Sequence, residues 1–430
     1  MARNITEITA SEFETLVLSS DKPVALDFYS TECPPCEALA PKFEALAELY
    51  GEDVRFLKVF RQGNRELADK LSVRGSPTVV FFSRGVEVGN RLSGGIKRSE
   101  LTREIDALLA PERVAEVHSR VRPSETRCDV LIIGAGPAGI TAGIYAAQAK
   151  LDTIMVDVGL GGGNLSITHQ VSNFPGFPTP QPGWQLAHYL LEHAKTAGVQ
   201  TRFAAELTHV ELGERKIVLD GVETIFAKKI VVATGSSPRP IGVPGEREFK
   251  GKGISYCATC DAKYFEGKHA VVIGGGNSAI EEALFISKFA SKITIVHQFP
   301  ELTANKLAQT RARENEKFEF LLSHEPRQFL AKNGKTVDAV VVEDLATGQR
   351  RTLDCDGAFV FAGMQPNLEL FGEDFELDEY GYVRVNERMQ TNVPGVYAAG
   401  DVISKRYRQM TTAVSDGTVA SMSLAQELAS

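Results

Sequence analysis

Four of the six cysteines stand as two C-x-x-C pairs: Cys33 and Cys36 in TECPPC, and Cys257 and Cys260 in CATCD. Two thiols at this spacing either close into a redox disulfide or supply half of a zinc site. Zinc sites of four cysteines usually hold both pairs within a few tens of residues, whereas Cys36 and Cys257 lie in what read as different domains. A redox reading fits each pair separately. Cys33 follows the apolar stretch KPVALDFYS and opens CEALAPKFEALAELY, where Leu39, Phe43, Leu46 and Leu49 have helical spacing. A helix N-terminus stabilises a thiolate, the attacking form, and Pro34 and Pro35 are tolerated in a first helical turn. Glu32 opposes this by raising the thiol pKa. Asp27, on the preceding strand, is a candidate proton acceptor for Cys36, against the plainer reading of a strand-edge carboxylate. Pro77 precedes the next strand, and a cis Ser76–Pro77 bond would present backbone to the disulfide. Asp261, directly after Cys260, is a candidate acid for a leaving thiolate, or else a solvated turn residue. Cys128 and Cys355 have no near partner and read as inert apolar residues. No metal site is expected.

The elements around the second pair must position it against a redox partner. GAGPAG places Gly134, Gly136 and Gly139 between the apolar strand CDVLII and a helical pattern. Glycine permits the tight turn, backbone N–H groups then approach a pyrophosphate, and the helix N-terminus adds positive potential. Asp157 ends the following strand, where a carboxylate meets ribose hydroxyls. A second unit of the same plan runs from Gly267 to Gln298, with Gly274, Gly276 and Ala279 in its turn. Its second strand ends at His297 and Gln298, with no acid at the ribose position and no arginine pair; Lys306 is the nearest downstream cation. A 2′-phosphate needs cationic, bidentate donors, so NADH is favoured over NADPH. GVYAAGDV is an apolar strand ending in Gly400 and Asp401, and Asp401 suits either the ribityl or pyrophosphate part of a flavin or a surface turn.

The chain has 430 residues, enough for about two to three domains. Its formal net charge of −8 argues against nucleic-acid and anionic-membrane partners. No apolar run approaches the roughly 18 residues that span a bilayer, and MARNITEITASEF has no apolar signal core, so a cytoplasmic location is expected. The first 110 residues read as strand, helix, strand, strand pair and a helix from Arg98 with Ser99 as its N-cap. Residues 111–127, polar and bracketed by Pro111 and Pro123, read as a linker with some helix in it.

Residues 128–430 resemble the low-molecular-weight bacterial thioredoxin reductases, on GAGPAG, ATGSSPR, CATCD, GGGNSA, FAGMQPN and AAGDV followed by YRQMTTA. Residues 1 to 110 resemble a thioredoxin, with LDFYSTECPPC where that family has its strand and W-C-G-P-C, and GSPTVVFF where it has its cis-proline strand. Glu32 replaces the usual tryptophan and Pro34 the usual glycine. The resemblance implies an α/β chain: an N-terminal thioredoxin fold followed by two Rossmann-like nucleotide-binding domains of the pyridine nucleotide-disulfide oxidoreductase type. The domains expected are 1–110 with CPPC, a linker at 111–127, an FAD-binding domain split into 128–243 and 356–430, and an NAD(P)-binding domain with CATC at 244–355.

The resemblance also assigns residues. FAD contacts fall on Gly134, Gly136, Pro137, Ala138, Gly139, Asp157, Gly163, Asn164, Asn173, Ala233, Thr234, Gly235, Gly400, Asp401, Arg408, Gln409 and Met410. The nicotinamide dinucleotide falls on Gly274, Gly276, Asn277, Ser278, Ala279, His297 and Gln298. Cys260 would face the flavin, Cys257 would attack the outgoing disulfide, Asp261 would be the acid and Asp27 the buried aspartate. The family forms homodimers and rotates one domain against the other between flavin reduction and disulfide exchange. The layout is also similar to the flavoprotein subunit of alkyl hydroperoxide reductase, whose N-terminal part is a longer double thioredoxin fold. His297-Gln298-Phe299 stands where the NADPH motif H-R-R-x-x-x-R is found, closer to the NADH-using flavoproteins of that group.

The function implied is a flavin-dependent disulfide reductase. Electrons would pass from NADH through FAD and Cys257/Cys260 to Cys33/Cys36, then to a peroxiredoxin, a thioredoxin-like protein or another protein disulfide. One alternative keeps this chemistry with a ferredoxin or another flavin as donor. The other is a redox-sensing or zinc-binding interaction protein on an idle reductase scaffold.

Overall fold

The computed structural model describes residues 4–168, 170–332 and 334–429. The first unit contains, in chain order, β1 (Ile5–Ile8), β2 (Val24–Tyr29), α1 (Pro34–Tyr50), β3 (Arg55–Phe60), α2 (Arg65–Lys70), β4 (Thr78–Ser83), β5 (Val86–Ser93), α3 (Arg98–Asp106) and α4 (Pro111–Ser119). The five strands form one sheet in the order β1-β3-β2-β4-β5. β2 is central and covered on both faces, so VALDF is buried throughout, Asp27 included. The edge strand β1 has no apolar block to announce it and is held by parallel pairing with β3. The N-cap of α3 is Lys97, one residue outside Arg98, not the expected Ser99; the Glu100 carboxylate accepts the Lys97 N–H at 2.9 Å.

The expected linker is shorter than 111–127. Pro111 starts α4, whose Val117 is fully buried among Phe43, Tyr50 and Leu101, while Arg113 donates to Asp53 at 2.7 Å. Thus α4 belongs to the first unit. The polar residues Ser124–Arg127 are already strand, because Glu223–Phe226 pairs alongside them. That partner lies far down the chain, which is why the segment carries no local strand signal.

The second unit begins with β6 (Ser124–Ile133), α5 (Pro137–Gln148), β7 (Thr153–Val156), α6 (Gly183–Ala197) and β8 (Gln200–Arg202). It continues through β9 (Leu207–Glu211), β10 (Lys216–Leu219) and β11 (Glu223–Val232). The sheet order is β8-β7-β6-β11-β10-β9, and Val396–Ala398 adds in parallel to the end of β11. The chain then crosses through Ser236–Pro238, returning through Met364–Pro366, and these two segments pair antiparallel.

Between the crossings lies a parallel five-stranded sheet in the order Ile254–Ser255, Gly357–Val360, His269–Ile273, Lys292–His297, Phe318–Leu322. A three-stranded antiparallel sheet, residues 324–354, packs against it through Phe329, Val340 and Val342. Since Gly357–Val360 is a member of the inserted sheet, the return to the second unit comes at the crossing ribbon and not at the expected boundary of 355. Two short elements of this unit matter below: α7 (Ala258–Asp261) and α8 (Asn277–Ile286).

Candidate active site

Both C-x-x-C pairs are closed disulfides. Cys33 is the N-cap of α1, and its Sγ accepts the Cys36 N–H at 3.3 Å. Cys257 is likewise the N-cap of α7, and its Sγ accepts the Cys260 N–H at 3.2 Å. A helix N-terminus favours the attacking, charged form of a sulfur, so in each pair the N-terminal sulfur, which takes this hydrogen bond, is the one placed to attack once the pair is reduced. Cys33 and Cys36 are nearly buried, at 9 % and 8 % exposure. The Ser76–Pro77 bond is cis, and Cys33 Sγ lies 3.5 Å from the Ser76 carbonyl, so the Pro77 turn does stand beside the disulfide. Glu32 is exposed with φ of 51°, pointing the chain out of β2 before the cysteine. Asp27 is buried, its Oδ1 has no hydrogen-bond partner, and burial pushes its carboxyl up to about 7 against the opposing pull of Lys58.

The second disulfide is placed differently. Cys257 is half-buried and Cys260 exposed. Cys257 is held by Ser255, whose hydroxyl accepts the Cys257 N–H at 3.0 Å. The Asp261 N–H donates to the Cys257 carbonyl at 3.3 Å, and Asp261 is half-buried.

A cavity of about 1060 Å³ opens beside the second unit's glycine turn. It is lined by Gly134, Gly136, Pro137, Ala138, Asp157, Gly163, Asn164 and Asn173. The 233–235 turn and the C-terminal residues Gly400, Asp401, Arg408, Gln409 and Met410 complete it. Distant segments are tied together around it: Asn173 donates to Gln409 at 3.0 Å, and Asn164 to the Ser236 carbonyl at 2.9 Å. Gly139 alone among the expected flavin contacts does not line the cavity. A Cβ there would overlap the Gly134 carbonyl, so this glycine serves the packing of α5 under the turn. Asp157 accepts N–H bonds from Ala135 at 2.6 Å and Gly159 at 2.7 Å, which fixes its carboxylate at the cavity edge.

Asp416 and Lys405 had no sequence signal, whereas Asn367 and Thr234 stand in FAGMQPN and ATGSSPR. Asp416 accepts the Gly400 N–H at 3.2 Å and pairs with Lys405 at 2.7 Å, steadying the turn that carries Asp401. Asn367 and Thr234 exchange hydrogen bonds at 2.8 Å in both directions, closing the cavity floor. Only the long-range fold brings these residues together.

A second cavity, of about 1020 Å³, is lined by Gly274, Gly276, Asn277, Ser278, Ala279, His297 and Gln298. Cys257 lines it too. The 302–305 loop closes over the turn: the Thr303 N–H donates to Gly275 O at 2.9 Å, and the Asn305 N–H to Asn277 at 2.7 Å. His297 is 6 % exposed, packs against Gly275 and edge-on to Phe299, and burial lowers its pKa from the ordinary value. It is therefore a neutral ring at pH 7. Ser278, Asn164, Arg408 and Gln409 line both cavities, so the two adjoin. Cys260 lines neither cavity. In this arrangement α8 of the inserted unit, through Ser278, Glu281 and Glu282, and not the expected Cys260, faces the larger cavity.

Among the described residues no group of three or more His, Cys, Asp or Glu side chains stands where it could hold a metal ion, and no helix is long and apolar enough to cross a membrane. Two adjoining dinucleotide-type cavities, with a C-x-x-C disulfide on the wall of one, define a nucleotide-linked disulfide oxidoreductase.

Comparison with known proteins gives the same class. Residues 128–417 match the pyridine nucleotide-disulphide oxidoreductase family and residues 4–107 match thioredoxin. The chain belongs to the pyridine nucleotide-disulphide oxidoreductase family, with a thioredoxin domain joined to its N-terminal side. A thioredoxin reductase of Bacillus subtilis is 41% identical over 296 residues, covering 69% of this chain and 93% of that protein. A 34.2 kDa protein in the rubredoxin operon of Clostridium pasteurianum is 42% identical over 299 residues, 69% of this chain and 96% of its own. Lactococcus lactis thioredoxin reductase in its FR conformation superposes with a TM-score of 0.67 at 34% identity, over 70% of this chain and 99% of that one. The T. acidophilum enzyme gives 0.66 at 33% identity, over 71% of this chain and 99% of that one. The chain is thus a disulfide oxidoreductase of the thioredoxin reductase kind, and the family implies FAD and a nicotinamide cofactor.

Proposed function

We propose that this chain carries electrons from NADH through FAD and the Cys257–Cys260 disulfide to its own Cys33–Cys36 pair, which then reduces a protein disulfide such as that of a peroxiredoxin or a thioredoxin-like protein. The observation that carries this reading is the presence of both C-x-x-C disulfides in one chain, each with its N-terminal sulfur set up as the thiolate.

The larger cavity fits FAD. Asp401 lines it with a side chain that is 30 % exposed, its Oδ1 facing the Lys405 ammonium at 3.5 Å, and the exposed edge of the carboxylate suits a ribityl or pyrophosphate-side hydroxyl. The N–H groups at the start of α5 and the glycines at 134 and 136 suit the pyrophosphate. Bound FAD supplies the two-electron relay between a nicotinamide hydride and a disulfide. Cys257, as thiolate, then bonds Cys33 Sγ while the Cys33–Cys36 bond breaks and Cys36 leaves as thiolate. Cys260 displaces Cys33 from Cys257. The Cys257–Cys260 disulfide re-forms, and the N-terminal pair holds two electrons and takes up one proton per thiol. Asp261 is the acid beside the first pair and Asp27 the proton exchanger beside the second. Tethering both pairs in one chain raises their effective concentration. We place the protein in the cytoplasm, where a thiol relay stays poised for reduction, and expect a homodimer.

NADH is preferred because neither His297 nor Gln298, at the expected ribose position, is a cation. His297 is neutral, Gln298 uncharged, and Arg327 on the same cavity is already paired with Glu325 and Glu343, each at 3.0 Å. Anaerobic mixing should therefore bleach the flavin band at least about tenfold faster with NADH than with NADPH, and Gln298→Arg should narrow that ratio by raising the NADPH rate. Equal rates in the unaltered protein would remove the NADH assignment. Bleaching by neither would transfer the donor role to a ferredoxin or another flavin.

A second expected result concerns cofactor retention. Asp401→Ala should weaken FAD binding by about tenfold to a hundredfold, since a hydrogen bond to a charged group contributes about 1.5–3 kcal/mol. Equilibrium dialysis of the apoprotein measures it, and unchanged affinity would place the flavin elsewhere.

A further inference from the structure

We infer that Lys42 is a latch that parks the thioredoxin domain on the flavin-side unit, and that the domain must undock before Cys257 reaches Cys33. This rests on the relay proposed above.

Lys42 lies on α1 two turns from Cys36 and is 9 % exposed. An ammonium has three donors and no acceptor. All three are used: one goes to the Ile96 carbonyl of its own domain at 3.1 Å, and two go to the neighbouring unit, to Phe203 O at 2.9 Å and Ala204 O at 2.7 Å. Ala204 has φ of 50°, a left-handed bend that brings successive carbonyls to one side. A buried charge is costly unless its hydrogen bonds are made, so this contact is tight only while the domains are together. Burial lowers the Lys42 pKa and raises that of Asp220 across the same contact.

The contact lies on the dithiol side of the domain. Glu37, next to Cys36, pairs with Lys195 of α6 at 2.9 Å. Lys97 pairs with Glu206 at 3.5 Å. Gly95 is so close to Leu160 that a Cβ would stand 3.3 Å from its Cγ, and Gly94 beside it bonds the Pro77 carbonyl at 3.4 Å, on the turn that touches Cys33. The partner surface therefore covers the rim of the Cys33–Cys36 pair with a unit that holds no reactive thiol; its Cys128 is buried and its pKa is pushed up to about 12. Cys257 and Cys260 sit on the inserted unit, with Cys260 open to solvent.

The Glu37–Lys195 pair is more than half exposed on both sides, which makes it a reporter for zero-length carbodiimide coupling in the full-length holoprotein. The unaltered protein should give the coupled 37–195 peptide. Lys42→Met should lower its yield at least about fivefold, as should Leu160→Glu, which leaves the thioredoxin core untouched should Lys42→Met fold poorly. In the coupled protein NADH should still reduce Cys257–Cys260, while reduction of Cys33–Cys36 slows about tenfold or more. Glu37→Gln treated identically corrects for coupling elsewhere. No coupled peptide in the unaltered protein, undiminished yield in both variants, or full-speed reduction of Cys33–Cys36 in the coupled protein would each overturn the latch. If Cys33–Cys36 is never reduced in untreated protein whose Cys257–Cys260 is, the relay fails, and the coupling yields still decide whether the dock exists.

Discussion

Cys33→Ser with Cys36→Ser should leave bleaching of the flavin by NADH and reduction of Cys257–Cys260 unchanged, and should lower turnover of the protein-disulfide acceptor by at least about a thousandfold. The double substitution removes the attacking sulfur and its resolving partner, and nucleophile losses of this kind sit at the high end of catalytic effects. It alters neither cavity: both cysteines stand at the head of α1, in a sheet separate from the two nucleotide-type units. Stopped-flow absorbance and acceptor turnover measured on the same sample separate the two halves of the relay. Acceptor turnover at the normal rate would show that Cys257 serves external disulfides directly and that the N-terminal pair has another use.

The single substitution Cys260→Ser refines this result. Cys257 would still attack Cys33 and expel Cys36 as thiolate, but Cys260 would no longer displace Cys33, so a mixed disulfide between Cys33 and Cys257 should accumulate. Mass spectrometry without reductant would detect it. The Cys257 Sγ receives the N–H of residue 260 and therefore keeps its position when the side chain there changes.

Why were some of these parts legible in the sequence and others not? Strand, glycine turn and helix are consecutive in both nucleotide units, so the geometry of Gly134 or Gly274 is encoded within a few residues. The C-x-x-C pairs are equally local, because an N-cap cysteine and the N–H three residues later are fixed by one helical turn. The polar start of β6 becomes strand only through partners at Glu223–Phe226. Likewise Asp416 reaches Gly400 only because the C-terminal helix crosses α5, where Gly417 lets the Ala138 carbonyl come close. Lys42 falls on the apolar face of α1 in any helical reading, where a lysine is out of place; its reason for being there lies in the carbonyls of another unit. The exposed position of Cys260 depends on how two units are turned about the crossing ribbon, which no local pattern specifies.

Asp27 illustrates a cost that the fold retains, and its removal should have the second large effect. An aspartic acid in an unfolded chain titrates near about 3.9, whereas burial pushes Asp27 up to about 7. Between about pH 4 and pH 7 the folded domain holds a proton that the unfolded chain releases. Stability must then fall as pH rises through that window, and the loss is complete above the folded value. A gap of about three pH units corresponds to a cost on the order of 4 kcal/mol. Asp27→Asn should abolish that slope: amide protection in β2, corrected for intrinsic exchange, should fall by about two orders of magnitude between pH 5 and pH 8 in the unaltered protein and stay level in the variant. Equal slopes in both would assign the titration to another group. The same substitution should slow exchange at Cys36 by about a hundredfold at pH 7, since a carboxyl titrating near neutrality both accepts and returns a proton and an amide does neither. A more stable domain with a slower dithiol is the combined signature, and the unpartnered Oδ1 inside the sheet is the reason both effects fall on one side chain.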